Sequence, residues 1–574
     1  MSTPVIRLPK PWQLLAAALL LAAGRIALGA DTGYPAHRPV VMGTQGMVAA
    51  NNPLAAEAGL DVLRRGGNAV DAAIATAAVL NVVEPMMSGM AGSAFMLVYD
   101  SASGRLDALN ASDVAPAAAS LERFEAADMS SGLHLATVPG SFDAWAEALA
   151  RYGTMGWDNV LRPAIAYAEQ GVPYTNFFVE QIGFAADHFR KYPESARLFL
   201  RDGEVPRPGD IHRNPGLART MRAVVSAADA RDEDGRGAAI RAGRDEFYKG
   251  SIAAAIADFH ALHGGLTTRE DLAAYRAEWA DPACSAYRGL NVCSAPPNTS
   301  GVVMLEALEI LEGYDLGSLG YGSADYLHVL AETFKLVRAD RAAWIGDPRL
   351  YSDPRDRMLD EKYVASQRAR IDMGAAKDVP GSQVEQANTT HISVVDGDGN
   401  VVSFTTTMGG GTALFGTLVV LGDTGLVSVD GINWMDRDPD SINRIRGGVR
   451  PRWSMSPTIV FQGGKPWLAI GTPGGEGIWQ TIPQALVNIV DFRMNVQQAI
   501  EAPRIRTYAG LDLRAESRID ASVRQDLSER GHRVTALPAW TQEVGGMNAI
   551  MIDPETGVLM GGADPRREGY VIAW

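Results

Sequence analysis

The chain reads as a layered α/β (α+β) protein, and three observations predict it. Helix-period patterns dominate up to about residue 370, alternating β-branched patterns dominate after residue 388, and no internal repeat or low-complexity tract interrupts them. The composition agrees. Of 574 residues 47% are hydrophobic and 21% charged, with 60 Gly and 31 Pro, the profile of a folded, turn-rich globular protein rather than a disordered or fibrous one. A net charge of −15 disfavours nucleic acid and anionic membrane surfaces as partners. Two cysteines are too few for an iron–sulfur cluster or a Cys-based zinc site.

The elements follow in order. Residues 1–30 carry Arg7 and Lys10, an apolar run from Leu14 to Gly24, and the small residues Ala27, Gly29 and Ala30. That is the layout of a secretory signal peptide, and the apolar run falls short of the ~20 residues that span a bilayer. An exported protein, periplasmic or secreted, with no stable membrane span after signal removal is expected; an uncleaved N-terminal anchor is the alternative, which Arg25 keeps open. From 46 to 85 two Ala-rich amphipathic helices are separated by Gly66-Gly67-Asn68, and a strand follows within Ser88 to Tyr99. Residues 120–280 are helical patterns broken by prolines, with Asp229 to Arg244 reading as a solvated loop. Cys284 and Cys293 flank CSAYRGLNVC; a two-residue turn at Arg288-Gly289 would set them opposite at a non-hydrogen-bonded position, within disulfide range, although two reduced core cysteines remain the alternative. Helical patterns run from Val302 to about Trp344, and a polar stretch from Asp372 to Asn388 reads as an exposed connection. Beyond it, TTHISVVD-GDGN-VVSFTTTM predicts a hairpin. Strands are expected at Thr417 to Leu421, Thr458 to Phe461, Trp467 to Gly471, Arg533 to Ala536, Asn548 to Ile552 and Gly569 to Trp574, with a helix from Trp479 to Asp491.

The nucleophile and metal motifs that end most functional searches are missing: no G-x-S-x-G, no HExxH, no G-x-x-x-x-G-K-[ST]. His260 and His263 share a helix face but have no accompanying carboxylate motif and read as structural. No metal and no cofactor is expected. Threonine remains. Thr389 and Thr390 begin a strand and Thr405, Thr406 and Thr407 end its partner. A hydroxyl is a weak nucleophile unless a base adjoins it, and the α-amine of a chain terminus, with an ordinary pKa of ~7.7–8.0, is such a base on the same residue. That chemistry requires a cut just before the threonine, and a loop entering a strand at Thr389 is a place for one. A Thr-rich hairpin alone is ordinary, so this pattern by itself leaves the structural reading open.

The order of motifs adds the rest. Asn388-Thr389-Thr390-His391 followed by ISVVDGDGNVVS, with GGNAVDAAIA (66–75), VVEP (82–85), VPGSFDAW (138–145), PPNTSGVV (296–303), ADR and GDP (339–341, 346–348), MSPTIV (455–460), GTPGG (471–475) and NIVDFRMNVQQAIEAPR (488–504), resembles the γ-glutamyltransferases and their acylase relatives among the N-terminal nucleophile hydrolases, from about residue 40 to the C-terminus. The resemblance implies a four-layer αββα sandwich built from two chains of one precursor, a large subunit 31–388 and a small catalytic subunit 389–574. It implies that Thr389 attacks the Asn388 carbonyl to cleave the precursor and then attacks substrate as the new N-terminus. Thr407 matches the threonine that hydrogen-bonds the nucleophile; a three-residue hairpin loop, 397–399, sets it opposite Thr389, whereas a four-residue loop would set it opposite Thr390. Gly474 and Gly475 match the oxyanion hole.

Four positions depart from the family members that use glutathione. Ser112 stands where an arginine grips the substrate carboxylate, Gly409 where an asparagine is expected, Trp434 near the acidic residue that holds the amine, and Trp453 in place of the first residue of a Ser-Ser pair, with Ser454 kept. A planar fork of donors gives way to one hydroxyl. The pocket of Ser112, Trp434, Trp453 and Ser454 is therefore expected to be less charged and more aromatic, and the substrate to be a small-molecule amide of acyl type, hydrolysed rather than transferred. A true γ-glutamyltransferase or glutathione hydrolase, and an unprocessed binding protein on the same fold, are the competing readings.

Overall fold

In this computed structural model residues 34–380, 388–410 and 414–574 are described; the expected signal peptide and the stretch 381–387 ahead of Thr389 lie outside them. The centre of the fold is the hairpin Asn388–Val395 with Val401–Gly409, whose register runs from Val395 opposite Val401 to Thr390 opposite Thr406. This leaves the loop 397–399. Its turn is held by Asp396, whose carboxylate accepts from the backbone of Asp398 and Asn400 and, through Oδ2, from Ala69 N at 2.8 Å. The same side chain thus closes the turn and caps the N-terminus of the Ala69–Val83 helix.

The hairpin lies inside an antiparallel seven-stranded sheet ordered Tyr570–Ala573, Met47–Ala50, Asn388–Val395, Val401–Gly409, Ser93–Asp100, Arg105–Ala111 and Glu278–Ala280. A second seven-stranded sheet runs Val41–Gly43, Leu559–Ala563, Asn548–Ile552, Lys465–Gly471, Thr458–Gln462, Leu290–Ser294 and Ala283–Tyr287. Both sheets mix strands from before and after residue 388, so neither half of the sequence could complete a sheet alone.

Alternation along the strands defines the layers. Met47, Ala49, Leu97, Val395, Val401, Ile459, Ala469 and Ile550 fill the space between the sheets. Their neighbours on the opposite face, Val48, Met96, Ile392, Val394, Val402 and Phe404, pack on the helices Pro53–Arg64, Ala69–Val83, Ser141–Arg151 and Trp157–Gln170. The helices Gly301–Glu312, Ala324–Trp344 and Ile478–Val490 cover the other sheet. The result is the αββα sandwich. Close helix contact in the first layer needs Gly59, where a Cβ would overlap Thr76 Oγ1.

Several expectations are corrected. The 46–85 segment opens with the strand Met47–Ala50, and Ala69–Val83 is buried at every residue rather than amphipathic, because sheet and outer helices enclose it on all sides. Asp229 to Arg244 is largely the helix Arg236–Tyr248: Ala239, Ile240, Gly243, Phe247 and Tyr248 form a buried stripe, and Arg244 pairs with buried Asp143 at 2.5 Å. Thr417 to Leu421 is not a strand. Positive φ at Phe415 (83°) and Leu418 (66°) breaks the extension, and only a lone bridge, Val420 to Val427, forms. The polar run after Asp372 is partly anchored, with Val379 bridged to Gly510 and Ala376 N bonded to Arg530 O. At the other end of the large half, Arg288 (φ 50°) and Gly289 (φ 78°) make the tight turn that sets Cys284 opposite Cys293, Cα–Cα 4.1 Å, joined by a disulfide.

Candidate active site

The regular ladder of the hairpin stops at Thr390. Between that pair and Asn388 opposite Gly409, the single residue Thr389 faces two, Thr407 and Met408, so a β-bulge sits at the expected cut. Thr389 Oγ1 donates to Thr407 Oγ1 at 3.3 Å, and Thr407 Oγ1 also accepts from Gly409 N at 3.0 Å. Thr389 is 2% exposed and Thr407 fully buried. The side chain of Asn388 is buried with neither amide atom hydrogen-bonded.

The two faces of the strand have separate duties. Thr390 Oγ1 donates to Glu84 Oε2 at 3.1 Å in the helical layer, and Thr406 bonds Ser93 O and Ser141. His391 instead turns toward the second sheet, its ring between Thr405 Oγ1 (2.8 Å) and Ser393 Oγ (3.0 Å). Burial holds it neutral, with its pKa lowered to about 3. A Cβ on Gly471 would overlap that ring, so the strand leading to Gly474 lies directly against the one leading from Thr389.

Gly474 (φ 135°) and Gly475 (φ 57°) adopt conformations that L side chains rarely take and open the helix Ile478–Val490 through a short 3-10 turn. Glu476, next in sequence, pairs with Arg341 at 3.0 Å. Arg341 also donates to Ser454 Oγ (3.1 Å) and Ser300 Oγ (2.7 Å). One buried guanidinium therefore ties the Gly-Gly loop to the PPNTSGVV block through Ser300 and to Ser454, just ahead of MSPTIV. Burial lowers its pKa to about 10, which leaves it charged.

Ser112 is buried, its Oγ accepting from Asn298 Nδ2 at 3.0 Å and Arg450 Nη1 at 3.3 Å. Arg450 brings a cation beside the position where an arginine was missing, but its two terminal nitrogens are engaged by the carbonyls of Ser112 and Arg276 and by Glu278, while its buried Nε has no partner. At Gly409 (φ 99°) a Cβ would overlap Asp430 Oδ1. The Asp430 carboxylate occupies the room a side chain would take, accepting from Gly410 N (2.8 Å) and Asn433 Nδ2 (2.9 Å). Burial pushes it up to about 7. Trp434 and Trp453 pack in a tilted pair, centroids 4.7 Å apart and planes at 34°, and Trp453 Nε1 donates to buried Asp113 at 2.8 Å. Asn433, Met435, Asp436 and Arg452 line a cavity of ≈ 650 Å³, and the bonds from Asn433 through Asp430 and the 409–410 backbone connect its wall to Thr407.

Sequence reasoning did not single out Glu84, Asp113, Asn298, Arg341, Asp430, Arg450 or Arg567. Glu84, Asn298 and Arg341 lie inside blocks quoted for their family likeness, which is the signal that could have found them. Asp430 and Arg450 carry no sequence signal of their own.

Among the described residues, His328, Glu332 and His532 form a group of metal-ligating type. Lys335 Nζ lies 2.7 Å from Glu332 Oε1, and His328 Nδ1 and His532 Nε2 share a hydrogen bond at 2.8 Å. An ammonium thus already supplies the positive charge there. His260 is buried and neutral, its pKa lowered to about 4, on the helix Ser251–Leu262.

The αββα sandwich carries a hydroxyl pair on its central hairpin and a Gly-Gly turn at a helix entry, and comparison with known proteins places it among amide-hydrolysing enzymes. The chain belongs to the gamma-glutamyltranspeptidase family, whose model matches residues 55–574. It is 37% identical over 556 residues to the acylase ACY 1 proenzyme of Pseudomonas sp. (strain SE83), covering 94% of this chain and 95% of that one. It is 33% identical over 602 residues to the glutathione hydrolase proenzyme of Bacillus subtilis (strain 168), covering 98% of each. The crystal structure of cephalosporin acylase from Bacillus halodurans superposes with a TM-score of 0.85 at 34% identity, over 94% of this chain and 98% of that one. Among the described residues no helix is long and apolar enough to cross a membrane.

Proposed function

We propose that the chain is a self-processing amide hydrolase of acylase type with Thr389 as its nucleophile. The observation that carries the reading is the Thr389–Thr407 hydroxyl pair at a bulge that begins the central hairpin. Thr389 Oγ attacks the Asn388 carbonyl, the peptide bond shifts to an ester, and water hydrolyses the ester to release a new N-terminus. The freed α-amine then accepts the hydroxyl proton as Thr389 attacks the substrate carbonyl and passes it to the leaving amine, and water, deprotonated by the same amine, hydrolyses the resulting Thr389 ester to release the acid and restore the hydroxyl. Gly474 and Gly475 contribute backbone N–H groups to the oxyanion, aided by the positive end of the following helix. The large subunit is 31–388 and the small one 389–574, in an exported protein after loss of residues 1–30.

The acylase reading rests on Ser112, Gly409, Trp434 and Trp453. Ser112 offers no free fork of donors, and the Gly409 position is filled by Asp430. Hydrolysis is favoured because water requires no acceptor site. The likeness to a glutathione hydrolase over 98% of the chain supports the second reading, γ-glutamyl hydrolysis.

The test is N-terminal sequencing of freshly purified protein, with turnover of an N-acyl anilide compared with a γ-glutamyl anilide. Two fragments, the smaller starting at Thr389, and preferred N-acyl turnover are expected. A single intact chain removes the hydrolase in favour of a binding protein. Efficient saturable γ-glutamyl turnover reverses the substrate class.

A further inference from the structure

Two buried charged side chains adjoin the Thr389–Thr390 segment without a part in the chemistry above. Arg567 Nη1 donates to Thr389 O at 3.2 Å. Its stem lies against Gly546, where a Cβ would come within 2.5 Å of Arg567 Cδ, and the neighbouring Gly545 is the residue a Cβ on Gly474 would meet at 3.4 Å. Arg567 thus spans from the nucleophile's own carbonyl to the turn that backs the Gly-Gly loop. From the helical layer Glu84, which ends the Ala69–Val83 helix, accepts from Thr390 Oγ1 at 3.1 Å. Burying ionisable groups is costly unless their fields and hydrogen bonds are used. Each draws on the other: Arg567's charge lowers the Glu84 pKa against the rise that burial causes.

The geometry gives them a task. After a cut at Asn388, Thr389 becomes a chain end, and chain ends fray unless tied down. It also sits in the bulge, so the first regular ladder pair is Thr390 with Thr406. The ties nearest the new terminus are the Arg567 bond to the Thr389 carbonyl and the Glu84 bond to the Thr390 hydroxyl.

We propose that Arg567 and Glu84 are positioning residues for Thr389, gripping the 389–390 peptide from the carbonyl and from the helical face so that Thr389 Oγ1 stays aligned with Thr407 Oγ1. The proposal rests on Thr389 being the nucleophile.

The test uses the full chain and the variants Arg567→Met, Arg567→Lys, Glu84→Gln and the double variant Glu84→Gln/Arg567→Met, with Thr389→Ala as control. Readouts are the rate at which the Thr389–Trp574 fragment appears, kcat and KM on an N-acyl anilide, and the thermal midpoint. Arg567→Met should slow cleavage and kcat about 10- to 100-fold, the loss expected for one charge-assisted hydrogen bond to a reacting residue, with KM changed less than about threefold. Arg567→Lys should recover part of the rate. The double variant, with no ionisable group left at either position, should fold but not regain the rate. Wild-type cleavage and kcat in a folded Arg567→Met or in the double variant would overturn the proposal, as would a loss confined to KM. Failure of the nucleophile reading is distinct: wild type would yield no fragment, or Thr389→Ala would still yield it.

Discussion

Gly409→Ala is the sharpest structural test of the site. The position has φ 99°, and a Cβ there would overlap Asp430 Oδ1. The left-handed backbone alone costs an L residue about 1–2 kcal/mol. Asp430 must also move, and moving it strains the bonds from Gly410 N and Asn433 Nδ2; hydrogen bonds to a charged group are worth about 1.5–3 kcal/mol each. With one such bond lost, the total is about 2.5–5 kcal/mol. Thermal unfolding of the uncleaved chain, in a Thr389→Ala background, measures it as one covalent unit. Adding Asp430→Ala should relieve the clash, so the two substitutions should be non-additive by about 1–3 kcal/mol in the rescuing direction. Cleavage in the otherwise wild-type background should slow as well, because Gly409 N donates to Thr407 Oγ1. An unchanged thermal midpoint in Gly409→Ala, or strict additivity with Asp430→Ala, would refute the argument that Asp430 fills the side-chain space at 409.

Two further outcomes follow from the same geometry. Thr407→Val removes the acceptor of the Thr389 hydroxyl and leaves Gly409 N–H without its partner; precursor cleavage should slow about 10²-fold, while Thr407→Ser, which keeps the oxygen, should stay within about tenfold of wild type, as read from fragment yield over time. Glu84 has its pKa raised from 4.5 to about 8, by burial first, against the pull of Arg567 and of the Thr390 hydroxyl and with a further push from Glu568. Between those values the folded chain holds a proton that the unfolded chain has lost, so this group's contribution is fully present below pH 4.5 and is lost as pH rises to about 8. Relative to Glu84→Gln, the wild type should therefore lose stability by up to about 1.4 kcal/mol per pH unit across that window, measured as the difference in thermal midpoint at pH 5 and pH 8.

Much of the fold was legible because its elements carry their own local rules. The hairpin announced itself by β-branched alternation around GDGN, and the Ala69–Val83 helix by the Gly66-Gly67-Asn68 break that separates it from the helix before. The misreadings share a cause. Arg236–Tyr248 looked like a loop because its charges are conspicuous, yet its buried stripe and the Arg244–Asp143 pair become visible only when the Ser141–Arg151 helix is placed beside it. Thr417 to Leu421 has strand composition, but the aromatic cluster around Phe415 fixes its backbone in another shape.

The sequence by itself determined the family-like order of motifs, and it narrowed the hairpin register to two loop lengths and the cysteines to a bridge or two free thiols, because each depends on neighbours along the chain or across one turn; the fold then selected the loop 397–399 and the Cys284–Cys293 bridge. Only the tertiary structure decided that Asp430 fills the space at Gly409, that Arg450 spends its donors around Ser112, and that Arg567 and Glu84 hold the 389–390 peptide. Those contacts join residues from 20 to 338 positions apart, and a side chain's partner across separate elements is set by how loops and layers stack, which no local pattern encodes.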